Sequence, residues 1–573
     1  MIARKTRSPR EVLGLARPGR GLGTFGGVFT PTVLTILGVI MFLREGWVIG
    51  NAGLLGGALV ILLAFGITGI TGLSMSSITT NIRIGAGGAY AIVAQSLGLE
   101  IGGSLGIPRY VSQALAVTMY VFGFREGWLW IFPDHSPLLV DAVVFLSLYG
   151  IAYASLDLAI RVQYLIMAII AGALVSVGVA AAQGSMVIPL GEVQLWGRFP
   201  GAPEHGFPGT DFWVVFAVFF PASTGIMAGA NLSGDLRNPR KSIPLGTMSA
   251  IAITLVIYLL LAYWLARSAT PEELASNYTV MMDKAAWGPA VLAGLLGATF
   301  SSALASLVGS ARILQAMGEH RVLPKSTWLG RVTDRAEPRN AMMVTGALIL
   351  GSLLLRDLNV VAPLITMFYL ITYAMINAVV LIEQSMGLVS FRPLLKIPRW
   401  VSAAGLLGSL LAMFVVHPVF SLAAVATVLV FWVILLRRRL EAPFGDMRSG
   451  LFVSLAEWAA KKTADLPQMQ ERAWKPNVLV PLEDPRDVRG SFLLLHDLAY
   501  PRGSVSLMGL RTEEADDRLE ARVFALANAF KDQDVFASWT VVDSPAGPTT
   551  GLVAGMQTLR GAFFKPNILF LNL

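Results

Sequence analysis

The sequence predicts an all-α membrane protein of twelve transmembrane helices, arranged as a five-plus-five inverted repeat with discontinuous helices 1 and 6 and followed by a small cytoplasmic α/β domain. Three observations carry this prediction. Of the 573 residues 55% are hydrophobic and only 14% are charged, so the chain is built for lipid rather than water. Apolar windows of roughly 20 residues, the length that spans hydrocarbon, recur about twelve times between Thr24 and Leu436. Two of these windows are interrupted by proline and glycine in the same order, Pro31 then Gly38 and Pro221 then Gly225. They stand about five helices apart, as two inverted halves require.

Residues 1–23 form a basic N-terminal segment with six Lys/Arg in the first twenty and no apolar run of signal-peptide length, so it is expected to be retained and cytoplasmic. The helices of residues 24–436 centre near Gly38, Leu62, Val117, Leu146, Ala171, Thr224, Val256, Ser302, Ala347, Tyr373, Leu406 and Val428. The loops at 237–241, 312–339, 392–399 and 437–439 are rich in Lys/Arg and fall on the side of the N-terminus, whereas "ATPEELASN" (269–277) lies on the other. Both termini are therefore expected in the cytoplasm of a cell-membrane protein. The formal net charge of +8 reports this loop topology, so no nucleic-acid partner is expected.

After Arg439 the pattern changes to a soluble α/β one, giving a cytoplasmic domain over 437–573. An amphipathic helix is expected in "LFVSLAEWAAKKTADL", short strands at "NVLVPL" and "FASWTVV", and a charged helix in "EEADDRLEARVFALANAFKD". "KPNVLV" (475–480) and "KPNILF" (565–570) read as one strand entry used twice, the second being an edge strand or the last strand of a truncated domain. Zero cysteines and five scattered histidines exclude disulfides, thiolate metal sites and a cysteine nucleophile. No enzyme activity and no cofactor is implied.

In hydrocarbon an unpaired N–H or C=O costs several kcal/mol, so backbone unwinds only where it is buried or where a ligand replaces the lost hydrogen bonds. Half-helices starting near Gly38 and Gly225 offer the N–H groups of Gly38, Val39 and Ile40, and of Gly225, Ile226 and Met227, as anion sites. The carbonyls ending the preceding half-helices, around Thr35, Ile36, Pro221 and Thr224, suit a large monovalent cation. Neither segment has an acidic residue near its break, so a bound cation draws its counter-charge from a neighbouring anion. At about 5–6 Å and an effective dielectric near 20 that attraction is on the order of 3 kcal/mol, and it couples the two ions.

The stretches "LGVIMFLREGWVIGNAGL", "FAVFFPASTGIMAGANLSGDLRNPRKSIPLGT", "SSALASLVGSARILQA" and "DLNVVAPLITMFYLITYAMIN" resemble the cation-chloride cotransporter family, in particular its sodium-potassium-chloride branch. That branch lies within the amino acid-polyamine-cation superfamily, whose members share a LeuT-like fold. The resemblance covers roughly residues 24–436, and "RAWKPNVLV" is similar to the start of the family's C-terminal domain. It implies a potassium site at Thr35, Ile36, Tyr120, Pro221 and Thr224. It implies one chloride on Gly38, Val39 and Ile40 and a second on Gly225, Ile226, Met227 and the Tyr373 hydroxyl. Its sodium site maps to Leu34, Leu37, Ala298, Ser301 and Ser302, and it implies a homodimer in the lipid bilayer. Two positions depart from the sodium-coupled pattern: Thr35 stands for the usual Asn and Leu37 for the usual Trp.

The expected function is electroneutral secondary symport of chloride with potassium and, by the resemblance, sodium. Asp235, Arg237 and Lys241 are read as a gate or cap at the cytoplasmic end of the sixth helix. Ser301 and Ser302 also suit close helix packing, and "GAGGAY" (85–90) follows no strand, so it is no nucleotide loop. An amino-acid permease on the same fold is the first alternative, against which the bulk of "TPTVLTILGV" leaves little room for a substrate carboxylate. A transport-silent membrane regulator is the second.

Overall fold

The computed structural model describes residues 21–81, 87–154, 156–202, 207–333, 337–354, 361–386, 391–438, 440, 459, 474–512, 518–559 and 565–571. Contacts divide the chain into two units, Met1–Leu451 and Phe452–Leu573. The basic segment before Gly21 and the expected amphipathic helix at 451–466, Ala459 apart, lie outside the described residues.

Among the described residues of the first unit, ten helical segments are long and apolar enough to cross a membrane. The two other predicted centres, Val117 and Ala347, also fall on helices: Leu99–Ile131, which carries Arg109 and Arg125, and Arg339–Leu353, which has 15 residues. The first span consists of a π turn (Phe25–Phe29), α1 (Thr30–Ile36) and α2 (Val39–Leu43). It runs into α3 (Glu45–Asn81), which changes direction at Gly53. There φ is +74°, and a Cβ would stand 2.8 Å from backbone atoms of Gln194, Leu195 and Gly197, so only glycine lets that loop dock. The third span is α4 (Leu99–Ile131).

The sixth span is α5 (Phe212–Phe219), a 3₁₀ stretch (Phe220–Ile226) and α6 (Met227–Asn231). The seventh and eighth are α7 (Pro239–Ser268) and α8 (Gly288–Glu319), and the tenth is α9 (Val361–Met386). The first span crosses the sixth, α3 packs along α7, and α4 along α8. Each of these pairs stands five spans apart, which is the relation an inverted repeat creates.

Two expectations change in detail. Pro31 and Pro221 do not break their helices; each sits in the first turn of a new winding, π to α at Pro31 and α to 3₁₀ at Pro221. A residue without an N–H fits where the hydrogen-bond pattern changes. The basic stretch at 312–339 is also not wholly a loop, because α8 continues to Glu319 and buries Arg312.

The second unit holds a four-stranded parallel sheet of β1 (Asn477–Leu482), β2 (Ser504–Arg511), β3 (Phe536–Asp543) and β4 (Ile568–Leu569), in the order β3-β2-β1-β4. Its helices are Phe492–Ala499, Leu519–Lys531 and Pro548–Leu559. Its core gathers Val478, Val480, Val505, Leu507, Val523 and Phe530. The two similar strand entries lie side by side. The Asn477 N–H donates to Asn567 Oδ1 at 2.8 Å, and the Asn567 N–H donates to the Asn477 carbonyl at 2.9 Å. That places β4 at an edge of the sheet.

Candidate functional site

At the first break α1 ends when the Leu37 N–H donates to the Val33 carbonyl (2.8 Å). Leu37 then adopts ψ +51° and Gly38 an extended conformation before α2 starts. Among the described residues the amides of Gly38, Val39 and Ile40 have no acceptor, the first intrahelical bond of α2 being Met41 N–H to the Gly38 carbonyl at 3.2 Å. These are the unsatisfied donors of a helix start.

The second interruption has another geometry. Its amides were expected to be free, but the chain tightens instead of opening. Gly225 and Ile226 lie in 3₁₀ winding, whose N–H groups point to the third preceding carbonyl, and the Met227 N–H donates to the Gly225 carbonyl. The two segments cross here. A Cβ on Gly225 would lie 2.9 Å from Ile36 Cγ1, 3.0 Å from the Ile36 nitrogen and 3.0 Å from Thr35 Cβ.

Three of the four carbonyls expected to be unpaired are capped by hydroxyls. Ile36 accepts from Tyr258 of α7 (2.8 Å), Pro221 from Thr224 Oγ1 (2.7 Å) and Thr224 from Tyr373 of α9 (2.6 Å). For the Thr35 carbonyl no donor is found among the described residues. A carbonyl oxygen has two lone pairs, so the Ile36 and Thr224 carbonyls each retain one for a cation, while the Pro221 carbonyl also faces the backbone N–H three residues on in the 3₁₀ winding. The Tyr373 hydroxyl hydrogen is committed to Thr224 and must turn to meet an anion. Tyr120, on α4, is half-buried with no hydrogen bond among the described residues.

Leu34, Leu37, Ala298, Ser301 and Ser302 are all buried where α1 meets α8. Ser302 donates to the Leu34 carbonyl at 3.4 Å, while Ser301 Oγ is buried without a partner. A helical serine normally reaches back to its own backbone, so a free hydroxyl here is available to a ligand.

Two charged residues inside the bilayer part went unremarked in the sequence. Glu45, seven residues after Gly38, is fully buried, and neither carboxyl oxygen has a hydrogen-bond partner among the described residues. Arg109, in α4, is 1% exposed and its three guanidinium nitrogens have no partner. It lines a cavity with Thr35, Thr224, Gly225 and Met227 of the two interrupted segments and with Gln113 and Tyr369. The signal was available, since an ionisable residue inside an apolar helix marks a functional position by default.

Beyond the sixth span, Asp235 Oδ1 pairs with Arg312 Nη2 of α8 at 2.9 Å, both side chains largely buried. The Leu22 N–H donates to the Asp235 carbonyl (2.8 Å), and Arg237 Nε to the Gly21 carbonyl (2.7 Å). Asp235 and Arg237 thus fasten this end of the sixth span to α8 and to the chain before the first span. Lys241 is exposed and takes no part in these contacts. His320, just past α8, shares a hydrogen bond between its Nδ1 and the Tyr90 hydroxyl (2.8 Å), and burial pushes its pKa down to about 4.

Comparison with known proteins adds to this geometry. Residues 27–456 match the model of the amino acid permease family, and residues 480–573 match that of the first C-terminal domain of prokaryotic cation-chloride cotransporters. The chain is 30% identical to a bumetanide-sensitive sodium-(potassium)-chloride cotransporter of Manduca sexta, over 91% of this chain and 54% of that protein. It is 30% identical to solute carrier family 12 member 9 of Danio rerio (82% and 56%) and 33% identical to member 2 of Homo sapiens (70% and 37%). The chain therefore spans about half or less of the length of these relatives. A crystal structure of the cytoplasmic domain of a prokaryotic cation chloride cotransporter is similar at 42% identity, covering 17% of this chain and 34% of that one, with a TM-score of 0.15. The chain belongs to the amino acid permease family, a family of membrane transporters, and carries a C-terminal domain of the prokaryotic cation-chloride cotransporter type.

Proposed function

We propose that the protein couples chloride to potassium and sodium in an electroneutral symport across the cell membrane, working as a homodimer with both termini in the cytoplasm. The observation that carries this reading is the crossing at Gly225. It brings the free amides of Gly38, Val39 and Ile40 next to the carbonyls of Thr35, Ile36, Pro221 and Thr224. Potassium takes those carbonyls with the Tyr120 oxygen, sodium takes Leu34, Leu37, Ala298, Ser301 and Ser302, one chloride takes the amides of Gly38, Val39 and Ile40, and the second lies beside Gly225 and Met227, where the Tyr373 hydroxyl turns to meet it. Two monovalent cations and two chlorides balance. Arg109 and Glu45 contribute the same charges to the empty and the loaded forms, so neutrality depends on the load alone.

The test is uptake of radiolabelled rubidium and chloride into proteoliposomes, with each ion replaced in turn. Rubidium uptake is expected to vanish when gluconate replaces chloride, and chloride uptake to be unchanged between diffusion potentials of opposite sign set without potassium. Flux that persists without chloride, or rises steeply with voltage, refutes the reading. The family match over 27–456 favours amino-acid permeation as a second reading. The close contact of Gly225 with Thr35 and Ile36 opposes it, because no room for an α-carboxylate remains between the two segments. Labelled amino-acid uptake into the same vesicles decides between them.

A further inference from the structure

Arg109 is a buried charge in the membrane unit that the fold alone does not explain. Its guanidinium is buried, none of its nitrogens donates to a protein acceptor, and it belongs to no ion pair among the described residues. One face stacks on the Tyr369 ring, Cζ lying 3.5 Å from the centroid. That contact consumes a face of the plane and leaves the N–H edge, where five donors sit in a fixed fork. No carboxylate lines the adjoining cavity among the described residues, and the groups that do, Gln113, Thr224, Gly225 and Met227 among them, are neutral. Asp235 is already held by Arg312. A buried cation without protein acceptors is costly unless an anion meets it.

We propose that the Arg109 guanidinium is an anion-binding group of the cavity where the two interrupted segments cross, holding chloride there before any cation has bound. The 3₁₀ winding supports this assignment. It engages the amides that would otherwise serve an anion beside Gly225 and Met227, so the positive charge at this end of the site comes from a side chain rather than from a helix start. The order of binding follows. A chloride paired with a fixed guanidinium needs no potassium beside it, whereas potassium in the same cavity faces a like charge until chloride is in place. Chloride therefore leads and the cation follows.

This inference rests on the symport reading only for the choice of chloride as the anion, and its test is a binding measurement. Radiolabelled chloride is titrated onto the purified full-length protein in an N-methylglucamine gluconate medium free of potassium and sodium, then again with potassium added. Wild type is expected to bind in both, more tightly once potassium is present because the two ions favour each other reciprocally. Arg109→Gln is expected to raise the potassium-free midpoint about tenfold or more, the usual weight of a charge-assisted hydrogen bond, and to make binding depend on potassium. Arg109→Lys, which keeps the charge, is expected between the two.

Thermal unfolding in chloride-free buffer separates a ligand-binding arginine from a structural one. Arg109→Gln should be as stable as wild type or more so, because it removes an unpaired buried charge. A loss of stability, an unchanged chloride midpoint in Arg109→Gln, or wild-type binding that appears only with potassium overturns the proposal. Wild-type chloride binding through Arg109 without any coupled rubidium flux would sink the symport reading and leave this one standing. Coupled flux whose chloride dependence ignores Arg109→Gln would do the reverse.

Discussion

Removing the carboxylate of Asp235 takes an ion-pair partner from the buried Arg312 guanidinium at the end of the sixth span. Asp235 Oδ1 and Arg312 Nη2 are 2.9 Å apart with side chains 16% and 7% exposed, so solvent screens the pair weakly. At this separation and an effective dielectric of about 20 the attraction is roughly 6 kcal/mol, most of it offset by desolvation of the two ions. The measurable quantity is the asymmetry: breaking a buried pair by deleting one partner costs about 3–5 kcal/mol, while deleting both costs less because no lone charge is left. Asp235→Asn keeps the backbone contacts to Leu22 and Leu232 and removes only the negative charge of the pair. Asp235→Asn and Arg312→Gln are each expected to lower the unfolding midpoint in detergent, and the double variant to recover part of the loss, with a coupling of about 1–3 kcal/mol. Single variants that melt like wild type, or a double variant equal to the sum of the two, would show that the pair does not hold this end closed.

Three further outcomes follow from the site and its surroundings. Tyr120→Phe and Thr224→Ala are each expected to cut rubidium uptake about tenfold or more in a folded protein, since each removes one oxygen from a dehydrated cation; wild-type flux in both would dismiss the potassium site. Ser301→Ala combined with Ser302→Ala should abolish sodium dependence with little loss of stability, because Ser301 has no partner and Ser302 only one long bond; sodium-dependent flux that survives would remove these hydroxyls from the sodium site. His320 stays neutral in the fold down to about pH 4, while in the unfolded chain it takes up a proton near 6.5. Its contribution is fully present above about pH 6.5 and is lost as pH falls toward 4, on the order of 3 kcal/mol in all. His320→Gln should flatten that part of the melting profile, and an unchanged profile would count against the burial argument.

Hydropathy made the architecture legible because lipid imposes one requirement on every residue of a span. Eleven of the twelve predicted centres fall on helical segments and the twelfth, Gly38, on the break inside the first span, and the two interrupted spans cross as the order Pro31–Gly38 and Pro221–Gly225 suggested. The manner of interruption was not legible. A proline followed by a glycine is equally compatible with an opened backbone, as at Leu37 and Gly38, and with 3₁₀ tightening, as from Phe220 to Ile226. The caps on the carbonyls were hidden for a different reason. Tyr258 and Ile36 are 222 positions apart, and Tyr373 and Thr224 are 149 apart, so no local pattern announces them. In the second unit the central strand β2, "SVSLMGLR", lacks a period-2 signal because it is buried on both faces.

Those caps bear on the step that coupled carriers have to perform with nothing bound. A carrier that moved ions only when loaded would have to return across the membrane with its cation site empty, exposing carbonyls to a dry, low-dielectric interior at several kcal/mol each. In this protein the Ile36, Pro221 and Thr224 carbonyls already accept one hydrogen bond apiece, from Tyr258, Thr224 and Tyr373. These three carbonyls are therefore satisfied without a cation, while the Thr35 carbonyl and the amides of Gly38, Val39 and Ile40 stay open to ligands among the described residues. The hydroxyl oxygens also keep their own lone pairs directed away from the carbonyls. In the proposed potassium site Thr224 would serve both as a cap for Pro221 and as a ligand in its own right. Hydroxyl-capped carbonyls carry no formal charge, so the caps lower the desolvation cost of these groups in the empty form without adding charge to the site.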